Sequence, residues 1–246
     1  MDAERGGCWT VDLGNTRVKL GRHRGPQLLE VITFSPARRR DALEFLVGQA
    51  PGRVGLLSTA SPGEEEAWTE ALGACSSIWQ YRAGAALPFA VAYATPETLG
   101  ADRVAAVAGA YALYPGRDVL VVDVGTCITY EYLSSTAVYR GGVISPGTAM
   151  RLDAMQHFTG RLPRPEAVLP RGFPGDSTAA ALQHGALTGA AHEIAGFADE
   201  FRDAHPQGVL LGSGGGFAPL RALLPAAFEY RPYLVLEGLS TMLAYE

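Results

Sequence analysis

The sequence predicts an α/β protein built from two related halves, and three observations carry that prediction. An apolar run ending in Val11-Asp12-Leu13-Gly14-Asn15-Thr16 returns later as Val122-Asp123-Val124-Gly125-Thr126. Strand-like runs alternate with segments of helical period in both halves. The 246 residues are enough for one large core or two modest ones, and an internal repeat favours two.

Residues 8–20 alternate apolar positions around D-x-G-N-T, which reads as strand, tight turn and second strand. Residues 41–47 have helical spacing, 54–58 read as a buried strand, and 64–72 as a helix opened by Ser61-Pro62. Residues 102–114 form an alanine-rich helix stopped by Pro115-Gly116, so the lobes are expected at 1–115 and 116–246. The clearest core strand is 119–122, with 128–133 as its hairpin partner. A glycine-rich corner at 141–147 leads into a helix at 148–158, and 178–201 reads as one long helix. A strand at 209–211 ends in a third glycine corner, 212–216, followed by a helix at 218–224. Trp68 and Trp79 are assigned to packing in the first lobe.

Composition narrows the function. Twenty Lys+Arg against 25 Asp+Glu leave a formal charge of −5, which offers no electrostatic footprint for nucleic acid. The run Arg38-Arg39-Arg40 reads as a solvated helix start. Cys8, Cys75 and Cys127 lie far apart with no C-x-x-C pair, which fits a reducing compartment. The stretch Met1-Asp2-Ala3-Glu4-Arg5 lacks the order of a signal peptide, and no apolar run is long enough to span a bilayer. A soluble cytoplasmic protein without membrane attachment is expected. His184 and His192 stand eight apart on a probable helix without an H-E-x-x-H pattern, so no zinc site is expected there, and His157 reads as a polar helix-end residue.

The chemistry concentrates at the repeated corners. Gly14 permits close approach to the backbone, Asn15 and Thr16 offer side-chain donors, and Lys19 adds charge. Asp12 repels a phosphate, so its natural role is to hold a hydrated Mg²⁺, which takes one or two carboxylates with phosphate oxygens and waters. One such corner alone is equally a structural turn; a second in the same strand-turn setting argues against coincidence. The corner at 212–216 allows an adenosine to approach the backbone, and it also serves as a helix cap.

Two D-x-G-T corners followed by a glycine-rich corner resemble the superfamily of acetate kinase, sugar kinases, heat-shock chaperones and actin. That resemblance implies two duplicated ribonuclease H-like lobes with an interlobe nucleotide cleft for ATP. A closer one covers nearly the whole chain. Tyr93-Ala94-Thr95-Pro96-Glu97-Thr98-Leu99-Gly100-Ala101-Asp102-Arg103 is similar to the Y-x-x-P-x-x-L-G-x-D-R segment of type III pantothenate kinases. The order also matches: D-x-G-N-T at 12–16, G-x-D-R at 100–103, D-x-G-T at 123–126, G-G-x-I-x-P-G at 141–147, then Leu162-Pro163, Thr178, Gly185 and Leu236-Glu237-Gly238-Leu239.

The resemblance implies ATP-dependent phosphorylation of pantothenate to 4'-phosphopantothenate, the first step of coenzyme A synthesis. It implies Asp102 as catalytic base, Arg103 as partner of the pantothenate carboxylate, and Tyr93, Gly100 and Ala101 as walls of the substrate site. Asp12, Leu13, Gly14, Asn15, Thr16, Arg17, Val18 and Lys19 correspond to the first phosphate loop, and Thr126 to a nucleotide contact. Asp123 matches a position tied to a monovalent cation, K⁺ or NH₄⁺, and Thr178 matches a threonine that reaches pantothenate across a homodimer interface. Cys127 stands where the family usually has alanine, and Asp176-Ser177-Thr178 replaces a common G-x-N-T. Two other readings are a non-catalytic ATP-binding regulator on the same fold and a kinase for another small molecule. The intact aspartates argue against the first, and Arg103, which has no anion to meet on a neutral sugar, against the second.

Overall fold

The computed structural model describes residues 7–225 and 227–246; the N-terminal stretch considered for a signal peptide lies outside them. The chain divides into two compact units, one of the described residues up to Pro115 with Ala137–Tyr139 and Tyr233–Glu246, the other of Gly116–Thr136 and Arg140–Pro232.

In the first unit, β1 (Cys8–Leu13), β2 (Val18–Arg24) and β3 (Gln27–Phe34) form an antiparallel meander. After α1 (Arg39–Gly48), β4 (Arg53–Ser58) pairs in parallel with β1, and after α2 (Pro62–Gly73), β5 (Ser77–Gln80) pairs in parallel with β4. The sheet order is β3-β2-β1-β4-β5. Its core joins Trp9, Val11, Leu13, Val18 and Leu20 to Ala42, Leu46, Trp68 and Leu72 from α1 and α2. Trp68 and Trp79 are both buried, as the sequence reading expects.

The short β6 (Ala90–Val91) precedes α3 (Ala101–Leu113), which is buried along Arg103–Ala110. A helix that is apolar on all sides needs cover on all sides.

In the second unit, β7 (Val119–Val124) and β8 (Cys127–Leu133) form an antiparallel hairpin and β9 (Val138–Pro146) follows. The first residues of β9, Val138 and Tyr139, group with the first unit, where they pair in parallel with β6. Then come α4 (Thr148–His157), α5 (Thr178–Gln183) and α6 (Gly189–Ala204). The long helix expected at 178–201 is interrupted by a π-helical turn at His184–Thr188, where the His184 ring bonds Thr188 Oγ1 at 3.1 Å. β10 (Val209–Ser213) pairs in parallel with β7, and after α7 (Phe217–Leu220), β11 (Phe228–Tyr230) pairs in parallel with β10. The strand order β9-β8-β7-β10-β11 repeats that of the first sheet, β3-β2-β1-β4-β5. The repeat seen in sequence is thus a repeat of topology, the two-lobed α/β fold expected.

The chain closes with α8 (Leu234–Tyr245), which returns to the first unit and supplies the cover for α3. The division at 115 and 116 drawn from sequence assigns this helix to the second lobe; in the structure it packs on α3, β1 and β4. Two glycines make the approach close. A Cβ on Gly109 would lie 2.7 Å from Leu234 O, and one on Gly238 would lie 1.7 Å from Ala105 O. No described helix is long and apolar enough to cross a membrane.

Candidate active site

Asp12 and Asp123 each occupy the fifth position of a six-residue strand, β1 and β7, that forms the centre of its sheet. Alternation buries the apolar neighbours and leaves the aspartate at the strand end next to a turn. Leu13 and Val18 are fully buried in the first core, so of the loop 12–19 they offer a ligand backbone only, whereas Asn15, Thr16 and Arg17 are exposed. The turn is closed by Gly14 N–H donating to Arg17 O at 3.0 Å. Gly14 is required there, since a Cβ would lie 2.9 Å from that same oxygen.

Lys19 sits opposite Asp12 in the antiparallel register and its Nζ donates to Asp12 Oδ2 at 2.8 Å. Asp102 lies in the first turn of α3, where its Oδ1 accepts from Arg103 N–H at 2.9 Å. A Cβ on Gly100, the residue before the helix, would lie 2.6 Å from that Oδ1. Burial pushes the Asp102 carboxyl up from its ordinary value; the Arg103 N–H bond opposes the rise, and the Asp12 charge adds to it.

Arg103 is buried, with its guanidinium carbon 5.6 Å from the Tyr93 ring centroid and one terminal nitrogen donating to Tyr93 Oη at 3.3 Å. Tyr93 in turn stacks on Tyr139, centroids 6.3 Å apart and planes within 4°. The first unit therefore gathers Asp12, Lys19, Asp102, Arg103, Gly100 and Tyr93 around one carboxylate pair and one guanidinium. Ala101 opens α3 beside them. Tyr139 gave no local signal in the sequence, because its partner is fixed only by the pairing of β6 with β9.

In the second unit, Gly125 N–H donates to Cys127 O at 2.8 Å, and Gly125 and Thr126 are exposed at the turn. Two glycine segments press on this corner. Gly147 N–H donates to Thr126 O, and a Cβ on Gly147 would lie 2.4 Å from Gly125 O and 2.5 Å from Thr126 O. Gly214 has φ +78°, and a Cβ there would lie 2.4 Å from Asp123 Oδ1. Gly216 N–H donates to Val124 O at 2.9 Å. The 141–147 segment is mostly the end of strand β9 rather than a free corner. Its end is braced by Glu193, which accepts from Tyr130 Oη at 2.7 Å, Ser145 Oγ and Arg151. Burial alone would raise the Glu193 carboxyl, but these donors hold it below the ordinary range. Thr178 is exposed at the first position of α5, whose N-cap is Ser177 Oγ, accepting from Ala180 N–H at 3.2 Å.

No group of three or more His, Cys, Asp and Glu side chains among the described residues forms a metal cage. A single buried carboxylate, Asp12, fits Mg²⁺ that arrives with phosphate oxygens and keeps most of its waters.

The sequence profile of the type III pantothenate kinases matches residues 9–200. The chain belongs to the type III pantothenate kinase family. Curated relatives of that name agree along the chain: one from Flavobacterium johnsoniae is 32% identical over 237 residues, covering 96% of this chain and 97% of its own. Another, from Porphyromonas gingivalis strain ATCC 33277, is 35% identical over 240 residues with the same coverage. Among solved structures, a protein described as a Baf family transcriptional activator from Campylobacter jejuni superimposes with TM-score 0.63 at 22% identity, covering 96% of this chain and 97% of its own. A protein described as a 2-dehydro-3-deoxygalactonokinase from Sinorhizobium meliloti gives 0.57 at 16% identity, covering 96% and 95%. At these identities the likeness is one of fold.

Proposed function

We propose that this type III pantothenate kinase transfers the γ-phosphoryl group of ATP to the primary hydroxyl of pantothenate with Asp102 as the proton acceptor. The reaction is the ATP-dependent phosphorylation of pantothenate that opens coenzyme A synthesis. The observation that carries the residue assignment is the grouping of Asp102, Arg103 and Tyr93 at the start of one buried helix.

Each residue has a physical task. Asp102, with its carboxyl raised by burial, is a stronger base than an exposed aspartate and accepts the proton as the hydroxyl oxygen attacks phosphorus. Arg103, held by Tyr93, pairs with the carboxylate of pantothenate and fixes the distance from that end to the hydroxyl. The turn from Asp12 to Lys19 receives the phosphates, and Thr126 is assigned to the nucleotide. Asp12 would hold Mg²⁺, which, when bound, neutralises charge spreading over the phosphoryl oxygens.

A K⁺ or NH₄⁺ ion is assigned to Asp123, whose place in the second corner matches that of Asp12 in the first. Where β2 sets Lys19 opposite Asp12, β8 sets neutral Thr129 opposite Asp123. Thr178, exposed at a helix start, is assigned to pantothenate through a second copy of the chain, so the active species is a homodimer. The setting is the cytoplasm.

A coupled ADP-release assay with pantothenate, Mg-ATP and KCl tests the proposal. Turnover is expected, with Asp102→Asn lowering kcat by about 10²–10⁴. Retention of full turnover by that variant would overturn the base assignment, and ATP binding without turnover would return the chain to the regulator reading.

A further inference from the structure

The first phosphate turn is held from outside its own motif. Arg39, the first residue of α1, donates from one terminal nitrogen to Gly14 O at 2.9 Å and Asn15 O at 3.2 Å. Its other terminal nitrogen donates to both carboxylate oxygens of Glu64 in α2, at 2.7 and 3.0 Å. The arginine run reads in sequence as solvated; Arg38 and Arg40 are indeed largely exposed, while the Arg39 side chain keeps only 21% of its surface.

The consequence follows from peptide planarity. In a trans peptide the C=O and N–H point in opposite directions, and the peptides on both sides of Asn15 are trans. Two successive carbonyls drawn toward one guanidinium turn the N–H groups of Asn15 and Thr16 to the other side of the turn. Successive N–H groups aimed one way make a concavity for an anion. The turn itself is closed by the Gly14 N–H on Arg17 O.

We propose that Arg39, set in place by Glu64, is a positioning residue that shapes the turn at Gly14–Thr16 to receive the phosphates of ATP. The proposal rests on the reading of residues 12–19 as the phosphate loop. The guanidinium suits the task because its planar fork serves two carbonyls and a carboxylate together; an ammonium keeps the charge without the fork. The side chain acts on the nucleotide only through the loop, so pantothenate recognition by Arg103 and Tyr93 is unaffected.

Steady-state kinetics on Arg39→Lys, Arg39→Gln and Glu64→Gln, with a melting temperature for each, test this. Loss of hydrogen bonds from a charged donor is expected to raise KM for ATP roughly tenfold or more in both Arg39 variants, with KM for pantothenate unchanged and Glu64→Gln moving in the same direction. Wild-type KM for ATP in Arg39→Lys would overturn the proposal in favour of simple charge, and equal changes in both KM values would reduce Arg39 to a stabiliser of the fold. Should Arg39→Gln fail to fold, the other two variants decide. Gly14→Ala separates the premise from the inference. If it leaves KM for ATP untouched, the phosphate-loop reading and the proposal fall together; if it raises that KM while the Arg39 variants do not, the proposal falls alone.

Discussion

Lys19 and Asp12 face each other across the β1–β2 register and are joined at 2.8 Å, with 26% and 12% of their side-chain surfaces exposed. A pair this shielded holds the carboxylate orientation and places a fixed positive charge at the mouth of the first turn. Lys19→Met leaves a buried carboxylate without its cation. It is expected to lower kcat/KM for ATP by roughly 10²-fold while leaving calorimetric binding of pantothenate intact. Equal loss of both affinities would show that the lysine serves the fold rather than the nucleotide.

Asp102 carries a pH signature in both rate and stability. The base works ionised, so kcat/KM is expected to fall as pH drops, with a midpoint above the ordinary aspartate value of 3.8 because burial raises the group. Asp12→Asn removes a neighbouring charge that contributes to the rise, and the acid limb of its residual activity should move down. For stability the sign is reversed from that of a salt-bridged aspartate. A raised folded pKa means that stability is complete below the unfolded value and is lost as pH rises through the folded one. Asp102→Asn is therefore expected to melt higher than the parent near neutral pH, with the gap closing toward pH 3.8. A lower melting temperature at neutral pH would contradict the assignment of a strained, ionised carboxylate.

The second corner predicts a cation requirement. Replacing K⁺ by Na⁺ should depress turnover, and Asp123→Asn should both slow the enzyme and remove its preference between the two salts. Indifference of the parent protein to the cation would sink the role given to Asp123. Choline chloride at matched ionic strength is the control, since it changes screening by the same amount.

The α3–α8 contact offers a test of the architecture alone. Gly238→Ala forces a methyl group into Ala105 O, which lies on a helix backbone that cannot swing aside. Overpacking of this kind costs about 1–3 kcal/mol, or about 2–4 °C of melting temperature per kcal/mol in a chain of this size. Gly48→Ala, in the last turn of α1 with open space around the new methyl, is the matched control and should hold or slightly raise the melting temperature, since alanine favours the helix over glycine.

What the sequence showed depended on how local each determinant was. Asp12 and Asp123 stood out because strand, turn and chemistry lie within six residues, and their repetition removed the ordinary explanation of either alone. The edge strand β3 escaped notice because its sequence, Gln27–Phe34, lies on a sheet edge with only partial burial, so no clean alternation marks it. The long helix at 178–201 kept its apolar period through the π-helical turn, which composition does not reveal. Arg39 is the instructive miss. Three consecutive arginines look solvated in any window of sequence, and only the fold brings the carbonyls of Gly14 and Asn15 to the middle one. The same holds for Tyr139 beneath Tyr93 and for Glu193 beneath Ser145, whose partners are far away along the chain.

The return of α8 to the first unit sets an order of events during synthesis. The ribosome finishes every residue of the second unit before it makes Tyr233–Glu246, so the buried face of α3 waits, uncovered, through that whole interval. The unit begun first is completed last. The apolar helix α3 therefore receives its cover from α8 only after the whole of the second unit has been made.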